Sequence, residues 1–268
     1  MPEGLNGETR LYPIIGDPVD YARSPERLTD GFARRGHNGV CIPMQVREGE
    51  LERVLPGLSR VGNLDGLLVT MPQKFAAAAS CATRSDRARR LGVVSVMRRN
   101  PDGSWHGDML DGIAFVKAQT DAGARPDGAR VLLLGAGGAG SAIAVALLEA
   151  GVRDLIVHDT DAARVARLLA LLAGVGSGRV VAGPPDPAGC DMVCNATPMG
   201  MADGDPLPVA ADRLAGSMFV GDVVAGHGVT PLLKAARAAG CATAGGDQMV
   251  EAVQEIMLDF FLERRSEL

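Results

Sequence analysis

Hydrophobic and polar positions along this chain alternate between short apolar runs and longer amphipathic stretches. This alternation is typical of strand–helix units, in which a buried strand is followed by a helix that covers the sheet. The first part of the chain predicts strands at 10–17, 39–46 and 64–70. It predicts helices that begin at Ser24, span 48–60 and follow Pro72. Ser24 precedes a proline, as capping residues at helix starts often do.

A hairpin and a helix complete this first part. Residues 93–110 predict two antiparallel strands with a turn at 100–103, where Asn, Pro, Asp and Gly follow one another. Each of these residue types favours a turn. Asp111 then predicts the cap of a helix that runs to about Gly123.

After a turn-rich segment at 123–128, the alternation predicts a second strand–helix unit. Its predicted strands are 130–135, 154–159, 179–183, 191–197, 218–224 and 242–245, and its predicted helices include 141–150 and 161–173. The last stretch, 249–265, predicts an amphipathic helix whose apolar positions recur at helical spacing. The expected fold class is α/β: an N-terminal α/β domain, a Rossmann-type doubly wound parallel sheet and a C-terminal helix that returns to the first domain.

Length and composition are those of a globular protein with two domains of ordinary size or one large domain. The net charge of −5, with both signs interspersed, argues against nucleic acid or an anionic membrane as a partner. No apolar run approaches the roughly 20 residues of a membrane span. Residues 1–4 lack the basic and apolar regions of a signal peptide. We therefore expect a cytoplasmic monomer or homodimer that binds a small-molecule substrate.

The five cysteines are scattered along the chain and form no C-x-x-C pair: Cys41, Cys81, Cys190, Cys194 and Cys241. The four histidines are equally dispersed, and none lies at the spacing of metal ligands. We expect buried free thiols and no metal site.

The strongest local signal follows the predicted strand at 130–135. Gly135, Gly137 and Gly140 form a G-x-G-x-x-G pattern, with Gly138 and Ala139 inside it, and an alanine-rich helix begins at once. Glycines there allow a tight turn, a close approach of backbone to pyrophosphate and close packing of helix on strand. The helix N-terminus adds free N–H groups that favour phosphate. The loop therefore predicts a dinucleotide cofactor.

The next predicted strand ends in Asp159, nineteen residues after Gly140. A carboxylate at this position accepts hydrogen bonds from ribose hydroxyls and repels a 2′-phosphate, so we expect NAD rather than NADP. The alternative is that Asp159 only caps the following helix. Arg164 and Arg167, further along that helix, are expected on the solvated surface.

Five segments, in order along the chain, carry a resemblance to one family. They are Gly16-Asp17-Pro18 with Ser24-Pro25, Val69-Thr70-Met71-Pro72-Gln73-Lys74, Gly107-Asp108-Met109-Leu110-Asp111-Gly112, Asn195-Ala196-Thr197-Pro198-Met199-Gly200-Met201 and Thr230-Pro231-Leu232-Leu233. Together they resemble the motifs of the shikimate/quinate dehydrogenase family. The resemblance implies a substrate domain of residues 1–112 plus 246–268 and a cofactor domain of 113–245. It also implies an active site in the cleft between the two domains.

The same resemblance implies roles for individual residues. Lys74 would be the catalytic lysine and Asp111 the carboxylate that partners it. Substrate contacts would come from Ser24, Thr70, Ser95 and Gln254. Cofactor contacts would come from the glycine-rich loop, from Asp159, and from Asn195, Thr197 and Met199.

Several positions depart from the family pattern. Ala22, Leu68, Met109, Leu110 and Ala225 stand where polar or aromatic residues are expected, and Ser95 and Val96 replace an Asn-Thr pair. The glutamine expected four residues after Met249 is Val253, with Gln254 and Gln248 nearby. A buried polar group of the substrate left without a partner costs about 1–3 kcal/mol. Three lost partners would weaken binding of a polyol acid by about 10² to 10⁶, so we expect altered substrate recognition.

These observations favour an NAD-dependent alcohol dehydrogenase that acts on a cyclic hydroxy acid. In that reaction hydride moves between the alcohol carbon and the nicotinamide, while Lys74 exchanges the proton of the oxygen. Two alternatives stay open. One is a nucleotide-binding sensor or scaffold with weakened turnover, which the lost polar side chains favour. The other is a dehydrogenase of amino acids or folate-type substrates, which the order of the five motifs disfavours.

Overall fold

The computed structural model of the chain describes residues 5–20, 22–202 and 204–263. Contacts within it divide the chain into two compact units. Unit 1 comprises Met1–Leu110 and Gln254–Leu268, and unit 2 comprises Asp111–Val253. The sequence predicts domain boundaries at 112/113 and 245/246. These remain predictions, and they differ by several residues from this division. Residues 1–4, on which the expected absence of a signal peptide rests, lie outside the described part of the chain.

Unit 1 contains short strands and helices in alternation. Its strands are β1 (Arg10–Leu11), β2 (Ile14–Gly16), β3 (Gly39–Val40), β4 (Pro43–Gln45), β5 (Gly66–Val69), β6 (Thr83–Arg84), β7 (Val96–Arg99) and β8 (Trp105–Asp108). Its helices are α1 (Ser24–Arg34), α2 (Leu51–Leu58), α3 (Lys74–Ala79) and α4 (Asp86–Leu91). Six of the strands form one mixed sheet in the order β4-β2-β5-β7-β8-β6, and β1 pairs with β3 separately.

The predicted strands 10–17 and 39–46 each divide into two in the structure. Proline has no N–H to donate to a strand ladder, so it interrupts a strand or begins one. Pro13 separates β1 from β2, and Pro43 is the first residue of β4. The sequence pattern also missed β6 and α4, which the polar segment 83–91 forms. Ser85 caps α4 by accepting a hydrogen bond from the N–H of Ala88.

The hairpin predicted at 93–110 is confirmed. β7 and β8 pair antiparallel from Val96 opposite Asp108 to Arg99 opposite Trp105. The N–H of Gly103 donates to the carbonyl of Asn100 across the turn.

An aromatic cluster lies in the core of unit 1. Tyr12 packs against Phe32 and Phe261, with ring centroids 4.4 and 5.0 Å away. Phe261 belongs to α9 (Gly246–Leu262), whose C-terminal part packs in unit 1. Arg35 forms ion pairs with Glu255 and Asp259 of the same helix. The return of the last helix to the first part of the chain is thus confirmed. Residues 264 and 265, which were predicted to extend it, lie outside the described residues.

Unit 2 begins with α5 (Asp111–Asp121) and continues as a regular alternation. Its strands are β9 (Arg130–Leu134), β10 (Asp154–His158), β11 (Arg179–Ala182), β12 (Met192–Asn195), β13 (Phe219–Asp222) and β14 (Ala242–Ala244). Its other helices are α6 (Gly138–Glu149), α7 (Ala162–Leu171) and α8 (Pro231–Ala238), and a 3-10 turn spans Ala211–Arg213.

All strand pairs of this second sheet are parallel, and the order is β11-β10-β9-β12-β13-β14. Counted within the unit, this is the 3-2-1-4-5-6 order of the dinucleotide-binding fold. Leu132, Leu133, Val193 and Val220 in its central strands are fully buried, as expected for a parallel sheet covered on both faces. The predicted α/β class with a Rossmann-type sheet is confirmed.

All five cysteines are free and buried, as predicted. Burial raises the pKa of the Cys194 thiol to about 12, which keeps it protonated and unreactive. The described helices include none that is long and apolar enough to cross a membrane.

Candidate active site

The glycine-rich loop between β9 and α6 has the geometry of a phosphate cradle. Gly135 has a φ of +98°, and a Cβ there would lie 2.8 Å from the carbonyl oxygen of Ala196. A Cβ at Gly140 would lie 2.0 Å from the carbonyl oxygen of Gly135. Both positions therefore require glycine. At Gly137 and Gly138 a Cβ would meet no atom within 4 Å, so the backbone there faces open space.

That open space adjoins the N-terminus of α6. The helix begins at Gly138, three residues before its predicted start, and Gly137 provides no side-chain cap. The N–H groups in the first turn of a helix, which here includes Ala139, lack acceptors within the helix and attract anions. These residues fit the pyrophosphate of a dinucleotide.

A cavity of about 440 Å³ lies at the carboxyl ends of β9, β10 and β12. This size falls within the range of roughly 300–1,000 Å³ that is usual for ligand sites. Its position is the point where the strand order reverses, at which open parallel sheets bind ligands. The residues lining it include Gly135, Gly137, His158, Asp159, Thr160, Arg164, Thr197 and Met199.

Asp159 lies in this cavity, but its carboxylate is engaged by the backbone. One oxygen accepts a hydrogen bond from the N–H of Ala136 at 2.7 Å and the other from that of Asp161 at 2.9 Å. Burial opposes ionisation, but these hydrogen bonds and the charge of Arg164 outweigh it and lower the pKa of Asp159. The alternative that Asp159 caps the next helix is wrong, because Asp161 caps α7 through the N–H groups of Ala163 and Arg164.

Three cavity residues near Asp159 in the sequence were not predicted as site residues. Arg164 is exposed, as expected, and also lines the cavity together with Thr160. His158 lines it too, and its Nδ1 donates to the carbonyl of Gly183 at 3.0 Å. The signal that could have revealed Arg164 is its place in the first turn of α7, shortly after Asp159 in the sequence.

Asn195 holds the loop that follows β12. Its side chain is fully buried, and its Oδ1 accepts hydrogen bonds from the Thr197 N–H at 3.1 Å and hydroxyl at 2.6 Å. The Thr197 hydroxyl oxygen accepts in turn from the N–H of Met199 at 3.2 Å. Thr197 and Met199 line the cavity. Asn195 does not, and its hydrogen bonds shape the loop.

Asp222, at the end of β13, belongs to the same hydrogen-bond network and was not predicted from the sequence. It is fully buried and accepts hydrogen bonds from Asn195 Nδ2 at 3.0 Å and from Thr230 Oγ1 at 2.6 Å. Burial raises the pKa of Asp222, although the hydrogen bonds from Thr230, Val224 and Asn195 oppose that shift. Thr230 also caps α8. In the sequence, only the Thr-Pro pair at the start of α8 pointed to this network. Asp222 itself gave no signal, because an acidic residue at the end of an apolar run does not reveal its hydrogen-bond partners.

The expected catalytic lysine begins a helix in unit 1. Lys74 is the first residue of α3 and is half-buried. The preceding residue, Gln73, is 1% exposed and donates from Nε2 to the carbonyls of Val46 and Arg47 at 2.8 and 2.9 Å. Thr70, half-buried, follows β5, and its N–H donates to the carbonyl of Ile15. Hydrogen bonds therefore anchor the backbone next to Lys74 and at Thr70. Asp111, also half-buried, is the first residue of α5 in unit 2.

The other expected substrate contacts differ in exposure. Ser24 is half-buried and is the first residue of α1, while Arg23 occupies the N-cap position predicted for Ser24. Gln254 is 8% exposed, and among the described residues its Oε1 has no hydrogen-bond partner. A buried amide oxygen without a partner is costly, so it suits a ligand contact. Gln248 instead uses its Oε1 to accept from the N–H of Gly245.

The residues that depart from the family pattern in unit 1 are mostly buried. Leu68, Met109 and Leu110 are 1%, 4% and 1% exposed. Ser95 is 2% exposed, and its Oγ accepts a hydrogen bond from the N–H of Leu110 at 2.9 Å. These side chains pack in the interior of unit 1.

Comparison with known proteins identifies the family of the chain. Residues 14–97 match the sequence model of the shikimate dehydrogenase substrate binding domain. The chain is 38% identical to a shikimate dehydrogenase (NADP(+)) of Rubrobacter xylanophilus over 252 residues, which covers 92% of this chain and 88% of that protein.

Two solved structures are also similar. A quinate dehydrogenase from Corynebacterium glutamicum, solved with NAD, has 30% identity and a TM-score of 0.85, over 96% of this chain and 94% of its own. A 5-ketofructose reductase of Gluconobacter sp. strain CHM43 has 26% identity and a TM-score of 0.88, over 97% and 95% of the two chains.

These comparisons correct the expected cofactor. The relatives that share 31–38% identity with the chain are named as NADP(+) enzymes, so the prediction that NAD is preferred is wrong. In the structure each oxygen of the Asp159 carboxylate already accepts a hydrogen bond from a backbone N–H, and Arg164 adds positive charge in the same cavity. From the motifs, the fold and these relatives together, the chain belongs to the shikimate dehydrogenase family and is an oxidoreductase of the shikimate/quinate dehydrogenase type.

Proposed function

We propose that the protein is an NADP-dependent dehydrogenase that interconverts a secondary alcohol and a ketone in a hydroxy acid less hydroxylated than shikimate. The observation that carries the proposal is the cavity of unit 2, which joins the glycine-rich loop, the end of β10 and the loop after Asn195. In this proposal residues 1–112 and 246–268 bind the substrate, and 113–245 bind the cofactor. The bound cofactor supplies the nicotinamide that accepts or returns hydride.

Lys74 is the proposed general acid and base. Oxidation of an alcohol requires that the oxygen lose its proton as hydride leaves the carbon, and reduction requires the reverse. An amine at the first residue of α3, on backbone that Gln73 holds, would present its nitrogen at a defined position. Asp111 is proposed to hydrogen-bond both the substrate hydroxyl and the ammonium, which would orient them. The convergence of these two side chains is part of the proposal.

Binding of NADP is proposed to depend on Arg164 and Thr160. A guanidinium binds phosphate oxygens through charge-assisted hydrogen bonds, and a threonine hydroxyl adds one more donor. Both residues line the cavity beside Asp159. The Asp159 carboxylate would then hold the turn after β10 through Ala136 and Asp161. Gly135, Gly137, Gly138, Ala139 and Gly140 would surround the pyrophosphate.

Altered substrate recognition is proposed because apolar residues stand where the family motifs carry polar ones. Ser24 and Thr70 are half-buried, and Gln254 has a buried oxygen to offer, so these three are the proposed substrate contacts. Leu68 and Leu110 offer no polar group, and a substrate hydroxyl left unpaired beside them would lose about 1–3 kcal/mol of binding. The similar 5-ketofructose reductase indicates that this fold is not confined to shikimate and quinate.

The test is a turnover assay with purified protein, NADP+ and a panel of alcohols: shikimate, quinate and acids with one or two hydroxyl groups. We expect NADPH formation to be fastest with a less hydroxylated acid. Faster turnover of shikimate than of any such acid would overturn the altered recognition. Tight dinucleotide binding without turnover of any alcohol would instead favour a sensor or scaffold.

A further inference from the structure

We propose that Ser95 and Asp108 are positioning residues that hold the main chain leading into Asp111. Both residues accept hydrogen bonds from the backbone of the two residues before Asp111. The inference rests on the proposed function, because it assigns importance to Asp111. It rests also on a set of hydrogen bonds that converge on the segment Met109–Leu110.

Asp108 is a buried carboxylate at the end of β8. It is 6% exposed, and its Oδ1 accepts a hydrogen bond from the N–H of Met109 at 2.7 Å. Arg87 of α4 binds both oxygens, through Nε at 2.9 Å and through the second nitrogen at 2.6 Å. The hydroxyl of Ser85 donates to the same carboxylate. Such a bidentate pair fixes the side chain in one orientation, so the Met109 N–H has a fixed acceptor.

Ser95 holds the same segment from the neighbouring strand. Its N–H donates to the carbonyl of Asp108 at 2.8 Å, and its Oγ accepts from the N–H of Leu110 at 2.9 Å. The hydroxyl thus satisfies a backbone donor that lies beyond the end of the β7–β8 ladder. Two consecutive backbone N–H groups before Asp111 are therefore bound by side chains.

The two backbone N–H groups belong to a pair of buried apolar residues, Met109 and Leu110. Met109 and Leu110 are 4% and 1% exposed, so their side chains pack in the interior and leave the backbone groups to be satisfied. Serine at position 95 is short enough to accept from the adjacent backbone. Asp111 follows directly and begins α5, so its backbone position depends on this segment. A misplacement of about 1 Å in a reacting group costs up to about 100-fold in rate.

The decisive variant is Ser95→Ala, compared with Ser104→Ala. Ser104 lies in the turn of the same hairpin, where its hydroxyl bonds Asp102, so it controls for a general weakening of the hairpin. We expect Ser95→Ala to lower kcat about tenfold or more, with KM for the substrate changed less than twofold. We expect Ser104→Ala to leave both constants unchanged. Asp108→Asn, which weakens the pair with Arg87, should lower kcat in the same way.

Hydrogen exchange of the Leu110 backbone amide can be measured without any substrate being converted. Ser95→Ala should speed exchange of the Leu110 N–H at least tenfold, while Ser104→Ala should not. A rise in KM with unchanged kcat would overturn the inference and make Ser95 a direct substrate contact. Unchanged kcat together with unchanged Leu110 exchange would overturn it as well. If the wild-type protein turns over no alcohol, the proposed function fails, while Leu110 exchange still decides whether Ser95 holds the segment.

Discussion

The side-chain amide of Asn195 donates a 3.0 Å hydrogen bond to the carboxylate of Asp222, and both residues are fully buried. Through Asn195 this bond reaches Thr197 and Met199, which line the cofactor cavity. We expect Asp222→Asn to weaken dinucleotide binding about tenfold, because an amide nitrogen would replace one carboxylate oxygen and cannot accept a hydrogen bond, so either Asn195 or Thr230 would lose its acceptor. It should also destabilise the protein by about 1–3 kcal/mol. Fluorescence titration and thermal unfolding measure the two effects.

The matched control is Asp191→Asn. Asp191 precedes β12, and its carboxylate accepts from the backbone of Arg130 at the amino end of the same sheet. Its loss should change stability without changing dinucleotide affinity. Equal affinity losses in both variants would contradict a specific role for Asp222.

Lys74→Met should lower kcat by more than tenfold with the preferred substrate, because general acid–base catalysis contributes about 10²- to 10⁴-fold. Dinucleotide binding should be unchanged. Lys117→Met serves as the control, since Lys117 is exposed and pairs with Asp121 on α5. A loss of less than tenfold would remove Lys74 from the proposed acid–base role.

Arg164→Ala should weaken NADPH binding by about 10- to 150-fold and leave NADH binding almost unchanged. This range corresponds to the roughly 1.5–3 kcal/mol of a hydrogen bond to a charged group. Arg167→Ala removes an exposed arginine from the same helix, outside the residues that line the cavity, and should have no effect. Calorimetric titration of each variant with both cofactors makes the comparison. Tighter binding of NADH than NADPH by the wild-type protein would refute the proposed cofactor.

Gly112→Ala should destabilise the protein by about 1–3 kcal/mol, as overpacking does. A Cβ at Gly112 would lie 2.0 Å from the carbonyl oxygen of Ala142, where α5 packs against α6. A Cβ at Gly57, in α2, would meet no atom within 4 Å, so Gly57→Ala should gain about 0.5–1 kcal/mol from helix propensity. Urea unfolding of both variants tests whether their changes in the free energy of unfolding have opposite signs. A stabilised Gly112→Ala would mean that the two helices separate easily.

His37 should make stability depend on pH. Burial lowers its pKa, with Arg10 acting in the same direction and Asp65 opposing it. Between the lowered folded value and the ordinary value near 6.5, the unfolded chain binds more protons. Stability should therefore fall as pH decreases through this window. His37→Gln should flatten this part of the profile, measured by urea unfolding at several pH values. An unchanged slope would show that His37 does not contribute to it.

Much of the fold was predictable because local patterns report it directly. The six strands of unit 2 were all predicted, since each is a short apolar run bounded by turn residues. The strands of unit 1 were predicted less well, because Pro13 and Pro43 break apparently continuous runs. The segment 83–91 was missed because it is polar, and its helix depends on the cap at Ser85.

The sequence by itself determined the family, the α/β class and the glycine-rich loop, because these depend on residue types at fixed spacing. Only the tertiary structure decided which polar atoms are already occupied. Asp159 is bound by Ala136, Asn195 by Thr197 and Asp222, and Ser95 by Leu110. Partners such as Ala136 for Asp159 and Asp222 for Asn195 are distant along the chain and leave no periodic signal. The difference between a residue that contacts a ligand and one that holds the backbone is therefore a property of the folded chain.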